Sequence, residues 1–147
     1  MTIDVTSEIQ IARPLAVVAA FSADPDNVPR WYLNITSVEW KTPRPARTGS
    51  RIAFVARFLG RRLAYTYEIV EFLPGEKLVM RTTDGPFPME TSYAWRDAAE
   101  GRTHMMLRNR GGPTGFSRLA APFMALAVRR STDRDLLRLR SVLEATD

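Results

Sequence analysis

The sequence predicts an α+β domain in which a curved antiparallel sheet wraps around one long helix. Three observations predict it. A run with period-two alternation fills the middle of the chain and is broken only at turn residues. An amphipathic stretch with apolar spacings of three and four lies near the C-terminus. Between the first strand-like segment and the long run sit two short helical segments, entered at Pro14 and at Asp24-Pro25. A sheet of this kind can enclose a cavity, so the order of parts implies a holder of a small apolar molecule.

Each element follows from its own residues. Val5, Ser7, Ile9 and Ile11 alternate with Thr6, Glu8 and Gln10, the pattern of a half-buried strand. Arg13-Pro14 ends it, and Pro14 opens a helix with Val17, Val18 and Phe21 on its buried side. Asp24-Pro25 starts a second, shorter helix expected to carry Trp31 and Tyr32 against the first strand. From Ile35 the period is two. Val38 and Trp40 face inward, and Pro43 and Pro45 break the run. Residues 51–58 put Ile52, Phe54, Ala56 and Phe58 on one face and Arg51 and Arg57 on the other. After a turn at Gly60-Arg61, Leu63, Tyr65, Tyr67 and Ile69 oppose Arg62, Thr66 and Glu68. Pro74-Gly75 leads to a strand over residues 77–83 with Leu78 and Met80 inward. Asp84-Gly85-Pro86 turns the chain before Met89, Thr91, Tyr93 and Trp95 line one face. Gly101 precedes the last strand, residues 103–109, with Met105 and Leu107 inward. Turn residues at this spacing indicate a meander. Residues 111–115, Gly-Gly-Pro-Thr-Gly, form a flexible connection, and residues 116–144 read as a helix. Its stripe is Ala121, Ala125, Val128, Thr132, Leu136, Leu139 and Leu143, with Arg130, Arg134 and Arg138 on the opposite face, and Pro122 is expected to kink the first turns or to begin a second segment there.

Composition bounds the function. A chain of 147 residues fits one domain, 1–147, and can bury roughly two thirds of its unfolded surface. The 45% hydrophobic and 25% charged fractions are those of a globular protein. No apolar run approaches the roughly 20 residues that span a bilayer, and Met1-Thr2-Ile3-Asp4 does not read as a signal peptide. With no cysteine there is no thiol catalysis, disulfide or thiolate metal site. The expectation is a cytoplasmic protein. The net charge of +5 comes almost wholly from arginine and is spread along the chain, as on a solvated surface rather than a nucleic-acid footprint.

The order of these parts resembles the START-like (SRPBCC) superfamily with its helix-grip fold, and most of all its polyketide cyclase/dehydrase-type branch. The residues that carry the likeness are Ile11 to Val18, Asp24 to Trp31, Tyr67 to Leu78, Gly101-Arg102-Thr103, and Asp135 to Glu144, covering nearly the whole length. The resemblance implies a seven-stranded antiparallel sheet gripping the C-terminal helix, with a deep ligand cavity between them. It carries no shared catalytic motif, and its members include carriers as well as cyclases.

Few residues offer chemistry by type. His104 is the single histidine, expected to face outward, so no histidine- or cysteine-based metal site can be assembled; no metal and no cofactor are expected. No Gly-x-Ser-x-Gly elbow supports a triad, and residues 111–115 lack the lysine and spacing of a phosphate loop. That glycine-rich stretch reads equally as a plain connection or as a hinge at a cavity mouth. The expected ligand-binding set is Phe54, Phe58, Tyr65, Tyr67, Met80, Tyr93, Trp95, Met105 and Thr132, with Met89 as a further wall. Hydroxyl and indole groups on an apolar concave face need partners, which a ligand oxygen or water supplies. Methionines make walls that tolerate varied shapes.

Catalysis, if present, would be positional, with Tyr65, Tyr67 or Tyr93 donating a hydrogen bond to a developing oxyanion. Arg81 or Arg108 could supply a cation near the mouth, though both suit outward strand charge better. No carboxylate reads as inward, which counts against an enzyme. Arg129 and Asp133 form a possible i,i+4 pair. Three functions stay open. The first is binding of a small lipid-, polyketide- or isoprenoid-like ligand; the second is cyclisation, aromatisation or dehydration of a polyketide in the same cavity. The third is a protein or membrane-surface interaction module using the basic helix face. A small hydrophobic partner is expected, without nucleic acid or stable membrane insertion.

Overall fold

In the computed structural model, which describes residues 3–58, 60–112 and 121–145, seven strands form one antiparallel sheet. The strands are β1 (Ile3–Ile11), β2 (Ile35–Trp40), β3 (Arg51–Phe58), β4 (Arg61–Leu73), β5 (Lys77–Asp84), β6 (Met89–Ala98) and β7 (Arg102–Gly111). Their order across the sheet is β1-β7-β6-β5-β4-β3-β2. Consecutive antiparallel neighbours produce all of it except the β1–β7 pairing, which brings the first strand beside the last. Two register shifts between β4 and β5, at Thr66/Tyr67 and Ile69/Glu71, insert extra residues that bend a 13-residue strand. The helices are α1 (Leu15–Ala23), α2 (Val28–Trp31) and α3 (Ala121–Glu144). The expected seven-stranded sheet around a long C-terminal helix is the architecture observed.

Local chemistry sets the helix ends. Pro14 stands one position before α1, and its carbonyl accepts from the Val17 and Val18 amides at 3.0 and 3.1 Å. The side chain of Asp24 accepts from the Asp26 amide at 2.9 Å and starts a single tight turn, Pro25–Asn27, that runs into α2. Pro122 is the second described residue of α3. Residues 113–120 lie outside the described part, and with them most of the glycine-rich connection and the first residues of the expected helix.

The core fills the space between sheet and helices. On α3, Leu136, Leu139 and Leu143 are all buried, and α3 packs on β1. Trp31 is fully buried but does not lie on β1 as expected. Its ring meets Tyr32 at 4.3 Å and Tyr93 of β6 at 5.7 Å, while α3 packs along β1 and α2 packs against α3 and β2. On the sheet's outer face, Asp4–Arg108, Arg81–Glu90–Arg110 and Arg51–Glu68 form cross-strand ion pairs.

Candidate functional site

A cavity of ≈ 160 Å³ lies between the concave face of the sheet and the N-terminal half of α3. Its floor comes from alternate residues of neighbouring strands. Register places Phe54 opposite Tyr65, Tyr93 opposite Leu107 and Thr91 opposite Asn109, so every second residue of β3, β4, β6 and β7 shares this face. Its roof comes from Met124, Val128, Ser131, Thr132 and Asp135.

Of the expected ligand-binding residues, Phe54, Tyr65, Tyr67, Met80, Tyr93 and Thr132 line this cavity, as does Met89. Phe54, Tyr65 and Tyr67 form one aromatic wall with ring centroids 5.2 to 6.1 Å apart. Trp95 and Met105 do not line it. Both are buried, but the Trp95 indole donates to Ser22 of α1 at 2.9 Å, so this end of the concave face is filled by α1 rather than left open. The side chain of Phe58 lies outside the described residues.

The polar groups of the cavity differ in how far they are already satisfied. Thr91 donates to Asn109 Oδ1 at 2.7 Å, so the Tyr67 hydroxyl, 2.7 Å from Thr91 Oγ1, is the donor of that second bond. Tyr32 and Tyr93 are joined by one hydrogen bond of 2.5 Å, which leaves the other hydroxyl hydrogen of the pair uncommitted. Thr132 faces the space, yet its hydroxyl is held by Ser7 Oγ at 2.9 Å and by the carbonyls of Val128 and Arg129. It clasps α3 to β1. The Tyr65 hydroxyl has no hydrogen-bond partner among the described residues. Burial pushes the phenols of Tyr32, Tyr65 and Tyr93 well up and that of Tyr67 to about 12. All four therefore stay protonated, each keeping a hydroxyl hydrogen it can donate.

One residue overturns an expectation. Asp135 is 2% exposed and lines the cavity, although no inward carboxylate was expected. Its position follows from helix periodicity: residue 135 lies three beyond Thr132 and seven beyond Val128, on the same stripe. Tracing that stripe by its apolar members alone passes over it. One carboxylate oxygen accepts from the Leu33 amide at 3.0 Å. Burial pushes the carboxyl up to about 6, against the Leu33 N–H and the charge of Arg134, which hold it down. Tyr32, Thr91 and Asn109 are further lining residues that alternation could have supplied, since each is the polar member of an inward row or of an adjoining turn.

The expected cations lie elsewhere. Arg81 bonds Glu90 at 2.8 Å and Arg108 bonds Asp4, both on the outer face. Arg129 donates to the Thr6 carbonyl at 3.0 Å instead of meeting Asp133. Arg134 and Arg138 donate to Asn34 Oδ1 and the Arg30 carbonyl, tying α3 to α2 and the segment that follows it. His104 faces outward beside Glu8; its Nε2 is at ion-pair distance, 2.9 Å, but the N–H is not aligned for a hydrogen bond. No group of three metal-ligating side chains occurs among the described residues.

Residues 2–144 match the family described as polyketide cyclase/dehydrase and lipid transport. No curated protein matches the sequence. Among solved structures, a protein of Thermus thermophilus is similar with a TM-score of 0.83 at 19% identity, over 98% of this chain and 99% of that one. A START superfamily protein from Mycobacterium smegmatis is similar with a TM-score of 0.84 at 10% identity, over 97% and 98%. The Zhui aromatase/cyclase from a Streptomyces species is similar with a TM-score of 0.82 at 14% identity, over 98% and 94%. At these identities the likeness is one of fold.

Proposed function

The chain belongs to the polyketide cyclase/dehydrase and lipid transport family, and from that membership we propose that it binds a small hydrophobic ligand between its sheet and α3. The observation that carries the reading is the cavity: apolar walls, a few convergent polar groups, and one hydroxyl without a partner among the described residues. A dry cavity of about 150 Å³ in another protein takes up benzene. At ≈ 160 Å³ the space here therefore suits one ring, or one ring-sized portion of a polyketide-, isoprenoid- or lipid-like molecule. Residues 1–147 act in this reading as one ligand-binding domain.

Asp135 favours a second reading, cyclisation or dehydration of a bound polyketide. A cyclase needs an acid-base group of tuned pKa, and a carboxyl at about 6 inside the cavity has that property. Its carboxylate would take a proton from the carbon between two carbonyls. Tyr65 would donate a hydrogen bond to the enolate oxygen that forms, the enolate carbon would attack a third carbonyl of the same chain, and the oxygen of that carbonyl would take the proton back from Asp135. The interaction-module reading loses ground, because Arg134 and Arg138 are bonded within the fold. No helix of the described residues is long and apolar enough to cross a membrane.

Native mass spectrometry of protein purified from its own host, followed by organic extraction, tests both readings. A retained apolar molecule is the expected result. Recovery of that molecule unchanged after incubation supports binding alone, and a cyclised or dehydrated product supports the enzyme. An extract identical to the blank, together with no uptake of benzene, would remove the cavity as a ligand site.

A further inference from the structure

We propose, resting on the reading of the cavity as a ligand site, that Asp135 makes it selective for ligands whose polar end donates a hydrogen bond, phenol-like hydroxyls above all, and against ligands bearing a carboxylate. Most polar groups in the cavity have little left to offer. Tyr67 and Thr91 are consumed by the chain that ends on Asn109, and Thr132 by its bonds to β1 and its own helix. Besides the hydroxyl hydrogen left over in the Tyr32–Tyr93 pair, two groups are open. One is Asp135, whose carboxylate has an oxygen beyond the one held by the Leu33 amide; the other is the Tyr65 hydroxyl. Asp135 can accept and Tyr65 can donate, so the group that meets both is a hydroxyl, which donates to the first and accepts from the second.

Charge points the same way. The described lining residues contain one carboxylate and no lysine, arginine or histidine. The neighbouring cation along the helix, Arg134, is exposed and donates to Asn34. An anionic ligand would lose its hydration on entry, find no cation to pair with, and face a like charge. A hydroxylated ring suffers none of these.

The test compares four ring probes of one size class by NMR titration of the intact chain at neutral pH: benzene, anisole, phenol and benzoate. Benzene reports on the cavity itself. Anisole is the more apolar of the two oxygen-bearing neutral rings but cannot donate, so burial alone would favour it over phenol. The expected order has phenol above anisole by about tenfold, the effect of one buried hydrogen bond, and benzoate weakest. In Asp135→Asn the carboxamide can still accept from Leu33 while offering an N–H to the cavity. The ratio of phenol to benzoate affinity is expected to fall by about tenfold or more in that variant. Benzene binding with anisole at or above phenol would overturn the selectivity while leaving the cavity reading intact, and so would a phenol-to-benzoate ratio unmoved by Asp135→Asn. Failure of all four probes would overturn both. The comparison of phenol with anisole needs no variant, so it decides even if Asp135→Asn does not fold.

Discussion

Asp135 shows how one side chain couples the cavity to stability. Its carboxyl titrates near 6 in the folded chain, against an ordinary 3.8. The folded state therefore binds the proton more tightly than the unfolded one. By linkage, this group's contribution falls as pH rises from about 4 to about 6 and is constant above that. The sign is opposite to that of Asp4, Asp26 and Glu90, which arginine hydrogen bonds hold below their ordinary values and which favour the fold at higher pH. Comparing the protein with Asp135→Asn isolates the one term. The variant is expected to be more stable at neutral pH by on the order of 3 kcal/mol, with the gap closing as pH falls toward 4. Chemical denaturation across that pH range reads it directly. A gap that stayed constant with pH would mean that the carboxyl is not held up by burial. A perturbed carboxyl that costs stability at neutral pH is a common mark of a functional group.

At the scale of elements, one wall of the cavity depends on where β6 begins and β7 ends. Gly111 closes β7, pairs with Ile3 on one side and Met89 on the other, and has φ of +130°. A Cβ there would run into the Pro88 carbonyl and approach Met89 Cα at 3.0 Å. Gly111→Ala is thus expected to cost about 1–3 kcal/mol from backbone strain and to shift Met89, a cavity wall. Thermal unfolding checks the first effect, and weakened benzene uptake checks the second. An unchanged midpoint would mean that the strand end relaxes freely.

The same elements show what the sequence made legible. Alternation placed the strands and their inward faces, because side chains on a strand must point to one side or the other. It could not say how far along the concave face a residue lies. Tyr93 and Trp95 are both inward on β6, yet one borders the cavity while the other is capped by Ser22 of α1. Helix periodicity likewise placed Thr132 on the buried stripe and carries Asp135 with it. An apolar-only reading of that stripe hid the residue with the most chemistry, since carboxylates are rarely buried without a partner and the Leu33 amide that serves here is distant in sequence.

Across the whole molecule, α3 is held asymmetrically. Its C-terminal half is fastened to the end of β1 by Glu144 accepting from the Ala12 amide at 2.8 Å and by Arg13 donating to the Leu143 carbonyl at 2.6 Å. There Leu136, Leu139 and Leu143 complete the core. The N-terminal half, tied to β1 by Arg129 and Thr132, borders the cavity through Met124 and Val128 and leaves Phe123 76% exposed. Among the described residues this end of α3 lacks the leucine packing of the other, and a ligand that fits would add to it. Such a ligand binds the folded chain alone, so it must raise the unfolding midpoint by mass action. At a hundredfold excess over its Kd the gain is about 2.7 kcal/mol. For a chain of this length that corresponds to a rise of about 5–10 °C. Differential scanning calorimetry with benzene, and then with the molecule extracted from the host, reads the shift. At equal free concentration the host molecule should give the larger rise, because contacts to Asp135 and Tyr65 added to those with the apolar walls lower its Kd. A midpoint indifferent to both would mean that the end of α3 closes over its own side chains, leaving no room for a ligand.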